Sequence, residues 1–250
     1  MQSFARGLSV ITAFDSGHPT RTLTEVAAAA GMTRAGARRI LLTLIALGYV
    51  ESEGRQFRLT PKILGLGFSY LSSLPFWNLA EPVMESLVAR IHESCSASVL
   101  DGPEIVYVMR VPTQKIMTIG LSIGSRLPAY CSSMGRVLLA GLDDAGVDRV
   151  LRGSDLKART PHTETRITYL KRIVRQTREH GFSLVDQELE EGLISLAVPI
   201  VGAGGRTIAA MNVSGQANRT PAVEMQRRFL GPLRAAATDI ARLTAAHGRG

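Results

Sequence analysis

Three guanidinium groups, from Arg34, Arg38 and Arg39, fall within six residues of the stretch GMTRAGARRILLTLIALGYV, residues 31–50. Arginine presents five donors in a rigid fork, so such a cluster can grip guanine edges or phosphate oxygens if one surface carries it. On a helical wheel Ala37, Ile40, Leu41, Leu44 and Gly48 share one side, while Ala35, Arg38, Arg39 and Leu42 lie roughly opposite. The arginines therefore cannot all join the core made by the apolar side. Ala35 and Gly36 are small enough to let the backbone approach a groove. The competing reading is a solvated basic face, which a lone helix could equally carry.

Other residues capable of chemistry give weaker patterns. Glu188, Glu190 and Glu191 are a carboxylate run that could hold a metal or serve as an acid-base pair; a solvated loop is the better reading. Cys131 precedes Ser132 and Ser133 without a local base, and Cys95 is the only other cysteine, so both read as buried free thiols. The five histidines are scattered, and neither zinc-ligand spacing nor a GxSxG, HExxH or P-loop motif occurs. Gly202-Ala203-Gly204-Gly205 precedes an apolar β-branched run rather than a helix, which makes it a hairpin turn instead of a nucleotide loop. Arg110 and Arg126 read as surface salt-bridge partners, with Arg126 kept as a weak carboxylate candidate. No enzyme, cofactor or metal is expected.

The arginine cluster needs elements to present it. Phe4, Leu8, Ile11 and Phe14 recur at helical spacing, so a helix is predicted over residues 3–15, closed by Ser16-Gly17-His18-Pro19. Thr22 and Glu25 form a capping-box pattern that opens an alanine-rich helix to Ala30. Gly31 supplies a turn, Thr33 an N-cap, and a third helix runs from Arg34 to about Leu47, which completes a helix-turn-helix. Residues 49–52 and 56–59 read as two short strands around Glu53-Gly54-Arg55, a wing that would carry Arg55 and Arg58 to backbone phosphate or a minor groove.

Thr60-Pro61 starts a further helix to about Ser73, because proline at the first helical position forfeits no hydrogen bond. Pro75 separates it from a long helix over about 76–93. From Ala97 the texture changes to β-branched runs, at 97–100, 105–111, 116–123, 193–200 and 208–214. Helices are predicted between them at about 133–141, 143–152 and 169–180, and a last one starts at Thr220-Pro221. The expected architecture is mixed: a winged helix-turn-helix over 1–60, a linker helix over 61–76 and an α+β domain over 77–250.

Composition fits this layout. At 250 residues and 45% apolar content the chain can bury one large core or two modest ones, which excludes disorder. The net charge of +8 suits a polyanionic partner, and residues 1–60 carry seven arginines against four acidic groups. The longest apolar run, Ile40–Val50, is too short to span a bilayer, and no signal-peptide pattern occurs, so the expected location is cytoplasmic.

In this order the segments TLTEVAAAAGMTRAGARRILLTLIALGYV, FRLTPKILGLG, GSRLPAYCSSMGRVLLA and GLISLAVPI resemble the IclR family of bacterial transcriptional regulators over essentially the whole chain. SYLSSLPFW, ESCSASVLDGPEIVYVMRVP and LVDQELEEGLISLAVP further resemble the branch governing protocatechuate, 4-hydroxybenzoate and β-ketoadipate catabolism. The resemblance implies a GAF-like effector domain and a dimer or dimer of dimers on a near-palindromic double-stranded operator. Thr33, Arg34, Ala35, Arg38, Arg39 and Arg55 would meet the DNA.

It also implies a pocket for a small organic acid, lined by Ser133 and Met134, by Leu193 and Ser195, and by Asn212 and Ser214, with Ile116 and Ile119 as its apolar wall. Amides around Ser132–Gly135 at a helix start could hold a carboxylate. An acidic ligand contact of some relatives falls here on Val185, and Asp186 should point the other way. The remaining alternative is a small-molecule-binding or catalytic protein whose winged helix serves protein-protein interaction.

Overall fold

The computed structural model describes residues 2–15, 17–113 and 121–247, and its residues cluster into two compact units, Met1–Ser73 and Leu74–Gly250. In the first unit α1 (Gln2–Ile11) and β1 (Thr20–Thr22) precede α2 (Leu23–Ala29) and α3 (Arg34–Ala46). The capping box at the start of α2 is complete: Thr22 N donates to Glu25 Oε2 at 2.7 Å and Glu25 N to Thr22 Oγ1 at 3.4 Å. Gly31 ends α2 at φ +62°, with Met32 N donating to Ala27 O and Gly31 N to Ala28 O. This closing motif recurs after α3, where Gly48 sits at φ +77° and Tyr49 N donates to Leu44 O at 2.8 Å. Glycine adopts that left-handed backbone without the Cβ penalty, so the GYV sequence turns the chain directly from α3 into a strand.

That strand is β2 (Val50–Glu53), which pairs with β3 (Gln56–Leu59) around Gly54 as the expected wing. The sheet order is β1-β3-β2, so a strand of only three residues completes it. β1 is too short to show a period-two pattern and exists through its pairing with β3, which is why it was not expected. Val10, Val26, Ala37, Leu41, Leu44 and Val50 close a small core under this unit. The segment after the wing begins as one tight 3₁₀ turn, Pro61–Ile63, and becomes α4 (Leu64–Ser73) only afterwards. Thr60 Oγ1 donates to Gly48 O at 2.6 Å and Lys62 Nζ to Leu47 O at 2.7 Å, which ties this segment to the carbonyls ending α3.

The second unit opens with α5 (Trp77–Ile91), which contains Pro82 and ends on His92 in a left-handed conformation. The strands β4 (Ser94–Asp101), β5 (Glu104–Val111), β6 (Arg126–Pro128), β7 (Ser183–Asp186), β8 (Leu193–Val201) and β9 (Thr207–Gln216) form one antiparallel sheet ordered β6-β5-β4-β9-β8-β7. Between β6 and β7 run α6 (Ser133–Ala140), α7 (Asp144–Arg152) and α8 (Ile167–His180), and α9 (Ala222–His247) closes the unit. α5 and α9 pack together on the sheet, α6 also lies on the sheet with α8 packed against it, and α7 packs against α6 and α8. Helical cover makes the central strands buried almost continuously, so they lack the alternation of a one-sided sheet.

Two sequence expectations change here. The strand expected at 116–123 falls largely outside the described residues, and Leu121–Ile123 belong to no strand. The sheet has β6 at its edge, three residues carrying Arg126 and Pro128 that no propensity pattern announces. The turn expected at Gly202–Gly205 joins β8 to β9.

Candidate nucleic-acid interface and ligand pocket

Thr33 caps α3 by accepting from Gly36 N at 3.2 Å. Ala37, Leu41 and Leu44 are buried beneath the helix, whereas Thr33, Arg34, Ala35, Arg38 and Arg39 are exposed at its start. Among the described residues none of Arg34, Arg38 and Arg39 pairs with a carboxylate. Arg55 is likewise exposed and unpaired beside Gly54 at the wing tip. Arg58 differs: its Nε donates to Glu51 Oε1 at 2.6 Å, so the neighbouring strand already neutralises it. The result, among the described residues, is four exposed guanidinium groups without carboxylate partners on the helix-turn-helix and wing. Their chemistry suits phosphate and guanine edges, because their donors are left to solvent.

The second unit holds a cavity of about 750 Å³ over the sheet, large enough for a small organic ligand. Ser133, Met134, Leu193, Ser195, Asn212 and Ser214 all line it, so the six described pocket candidates come together. Ile116 and Ile119 lie outside the described residues. Strand register explains the convergence. Ser94, Ser214, Ser195 and Val185 sit opposite one another on β4, β9, β8 and β7, and form a row of hydroxyls ending on a buried valine. Asp186 is exposed on β7, as the alternation from Val185 required. A parallel row runs Arg110, Ser96 and Asn212 across β5, β4 and β9.

Arg110 corrects the sequence reading: it is half-buried and lines the cavity instead of making a surface salt bridge. Its Nη1 reaches Ser96 Oγ at 3.3 Å, and among the described residues no carboxylate pairs with it. Tyr107 lines the same cavity although it lies an odd number of positions away on the strand. A β-bulge accounts for this, because Ala97 faces Met109 while the next residue, Ser98, faces Tyr107. Burial pushes the Tyr107 phenol up to about 12, so it stays a neutral donor. A lone arginine within the apolar run IVYVMRV was the available signal for Arg110. Simple parity would have put it and Tyr107 on opposite faces.

Asn212 is 3% exposed; its Nδ2 donates to Ser214 Oγ at 3.0 Å, and its Oδ1 has no partner among the described residues. At the opposite wall Ser132 caps α6, accepting from Gly135 N and donating to Pro128 O at 2.8 Å. A Cβ on Gly135 would stand 2.2 Å from Ala129 O, so only glycine lets α6 lie this close to the preceding chain and bring Ser133 and Met134 to the cavity.

The cavity rim also corrects the reading of the acidic run. Glu190 and Glu191 are exposed at the rim, but Glu188 is no solvated loop residue. Its carboxylate takes a fork of two bonds from the buried Arg136, at 2.6 and 2.7 Å, while Arg136 Nε donates to Tyr130 O. Thr160 and Thr163 donate to the carbonyls of Gln187 and Glu188, each at 2.6 Å. The rim loop is thus fastened to α6 and to the segment before α8. A charge inside SSMGRVLLA was the signal for this pair, since a buried arginine requires a partner. Arg126, by contrast, bonds Asp101 and Glu104 at the surface and does not line the cavity.

Cys95 and Cys131 are buried free thiols, and burial pushes both pKa values up, away from a thiolate nucleophile. Among the described residues no group of three or more His, Cys, Asp or Glu is placed to hold a metal ion, and no helix is long and apolar enough to cross a membrane.

Residues 3–54 match the IclR helix-turn-helix domain, and residues 68–242 match the C-terminal domain of bacterial transcriptional regulator IclR. The chain belongs to the IclR family. Among its relatives is the Pca regulon regulatory protein of Pseudomonas putida, 44% identical over 96% of this chain and 83% of that one. A crystal structure of a candidate transcriptional regulator from Rhodococcus sp. RHA1 is 50% identical, covers 98% of each chain and superposes with a TM-score of 0.87. The inducer-binding domain of an Acinetobacter PobR transcription factor double mutant, solved with 3-hydroxybenzoic acid, is 32% identical over 66% of this chain and 96% of that one, at a TM-score of 0.62. As an IclR-family member the chain is a bacterial transcriptional regulator with a DNA-binding and an effector-type domain.

Proposed function

We propose that this regulator binds an operator of an aromatic-acid catabolic operon and that an acid entering the cavity changes its operator affinity. One observation carries the reading: the start of α3 presents Arg34, Arg38 and Arg39, unpaired among the described residues, beside a capped helix-turn-helix, in a chain that also holds a cavity of about 750 Å³ whose largely apolar wall carries Ser133, Ser195, Asn212 and Ser214. Thr33, Arg34, Ala35, Arg38 and Arg39 meet a major groove, and Arg55 a phosphate or minor groove. Ser133, Met134, Leu193, Ser195, Asn212 and Ser214 contact the effector.

The relatives supply the ligand class, since one regulates a Pca regulon and another holds 3-hydroxybenzoic acid. Protocatechuate, 4-hydroxybenzoate and β-ketoadipate are the acids to test. The chain acts as a dimer or a dimer of dimers, a reading supported by the apolar face of α4, where Leu64 is 71% and Phe68 61% exposed. It acts without catalysis, and a bound acid should be recovered unchanged.

Two measurements test this. A preferred duplex should emerge from selection on a random DNA library, with log affinity falling steeply and linearly against log salt. The melting temperature should rise in a dose-dependent way with one of the three acids. Absence of any sequence preference at low salt removes the operator, and absence of any ligand shift removes the effector.

A further inference from the structure

Two groups in the cavity lack the partners their burial calls for, and both belong to one row across the sheet. Arg110 is half-buried and uses one of its five donors, on a neutral hydroxyl at the long distance of 3.3 Å. Asn212 Oδ1 is buried and accepts no hydrogen bond from the described residues. Among the described residues the first is a cation without an anion and the second an acceptor without a donor. Both states are costly in a low-dielectric site, and a ligand carrying the complementary groups removes both costs at once.

We propose that Arg110 anchors the effector's carboxylate and that Asn212 Oδ1 accepts a hydrogen bond from a hydroxyl on that same effector, a mono-acid bearing a hydroxyl group. The inference rests on the effector reading of this cavity and adds the two groups that choose among acids. Register supplies the geometry: Arg110 faces Ser96, and Ser96 faces Asn212. With the guanidinium drawn to Ser96 Oγ, the span left to Asn212 is about one strand spacing, ~5 Å, which one small molecule can bridge. The fork of Arg110 matches the two oxygens of a carboxylate.

Among the described residues the lining also disfavours a dianion. Arg219 is the other arginine of the cavity wall but is exposed at its edge, and Glu190 and Glu191 stand at the rim. Leu121, Leu127, Leu189 and Leu193 provide the apolar wall for a ring. The carboxylate thus lies on the sheet side of the cavity, not at the start of α6.

The test uses the full chain, titration calorimetry and four probes: benzoate, 4-hydroxybenzoate, 3,4-dihydroxybenzoate and the uncharged 3,4-dihydroxybenzamide. Wild-type protein should bind the dihydroxy acid about 10- to 100-fold more tightly than its amide, the range expected for charge-assisted hydrogen bonds. Arg110→Gln should remove that difference, bringing the acid-to-amide affinity ratio close to one. Asn212→Leu should remove the preference for hydroxylated acids over benzoate while keeping the preference for acid over amide.

If wild-type protein binds none of the acids, the effector reading itself falls. If it binds the acids but treats acid and amide alike, or if Arg110→Gln keeps the discrimination, the anchor is overturned and the effector reading stands. Equal binding of benzoate and its hydroxylated forms by wild-type protein overturns the role of Asn212. The comparisons on wild-type protein hold whether or not a variant folds.

Discussion

Single side chains decide both surfaces of this protein. Arg38 and Arg39 project from the exposed side of α3 without carboxylate partners among the described residues, so their donors are available to DNA. Replacing either with alanine is expected to weaken operator binding by about 1–3 kcal/mol and relax preference at one position if it reads a base. A phosphate contact would instead weaken all sequences equally and lower the salt slope by about one, which titrations at several salt concentrations on two duplexes separate. Glu188 gives the sharpest stability expectation. Its removal strands the Arg136 guanidinium, whose side chain is 3% exposed. Glu188→Ala should cost about 3–5 kcal/mol in urea unfolding, whereas replacing both partners with apolar residues of similar volume should restore most of it. A loss well under 1 kcal/mol would show that water already reaches the pair.

Elements act through how their ends are held. The segment before α8 is fixed by Glu164, which accepts from the amides of Thr165 and Arg166 and from the Arg166 guanidinium at 2.7 Å. Arg166 foremost, with those amides, holds the Glu164 carboxyl down to about 2, against an ordinary 4.5. A depressed folded-state value means the contribution is complete above about 4.5 and is lost as the pH falls toward 2. The melting temperature should fall on that acid limb, and Glu164→Gln should flatten the fall between those two pH values. A variant with an unchanged limb would assign the acid sensitivity to other carboxyls. Helix ends were also the most readable features of the chain. Thr22 with Glu25, Thr33, Gly31, Gly48 and Gly181 mark boundaries through their own backbone chemistry, which needs no distant partner. The three-residue strands β1 and β6 had no such local mark.

At the scale of the whole molecule, an effector that alters operator affinity must be altered in its own affinity by the operator, and by the same factor. With a coupling of about 1–3 kcal/mol, effector titrations with and without operator should differ by roughly 5- to 150-fold. Equal affinities in the two titrations would leave binding intact but remove regulation by this route. The net charge of +8 should keep association with DNA fast and salt-sensitive. Sedimentation of the full chain should give two or four times its 26.9 kDa mass, and a monomer at the concentrations where it binds operator would remove the dimer.

By itself the sequence determined what rests on local periodicity and on turn and cap chemistry: the helix-turn-helix, the wing, the position of the arginines on α3 and the mixed character of the second unit. Those features depend on residues a few positions apart, whose geometry the backbone fixes. Pocket membership of Ser133, Met134, Leu193, Ser195, Asn212 and Ser214 came from family resemblance, and strand register shows why they converge. Only the tertiary structure decided that Arg110 and Tyr107 face one cavity, because a bulge between strands breaks the parity that a single strand displays. It alone matched Arg136 with Glu188, fifty-two positions away. It alone left Asn212 Oδ1 without a donor among the described residues. A buried charge or an unsatisfied acceptor is defined by what surrounds it, and the surroundings are supplied by segments remote in the chain.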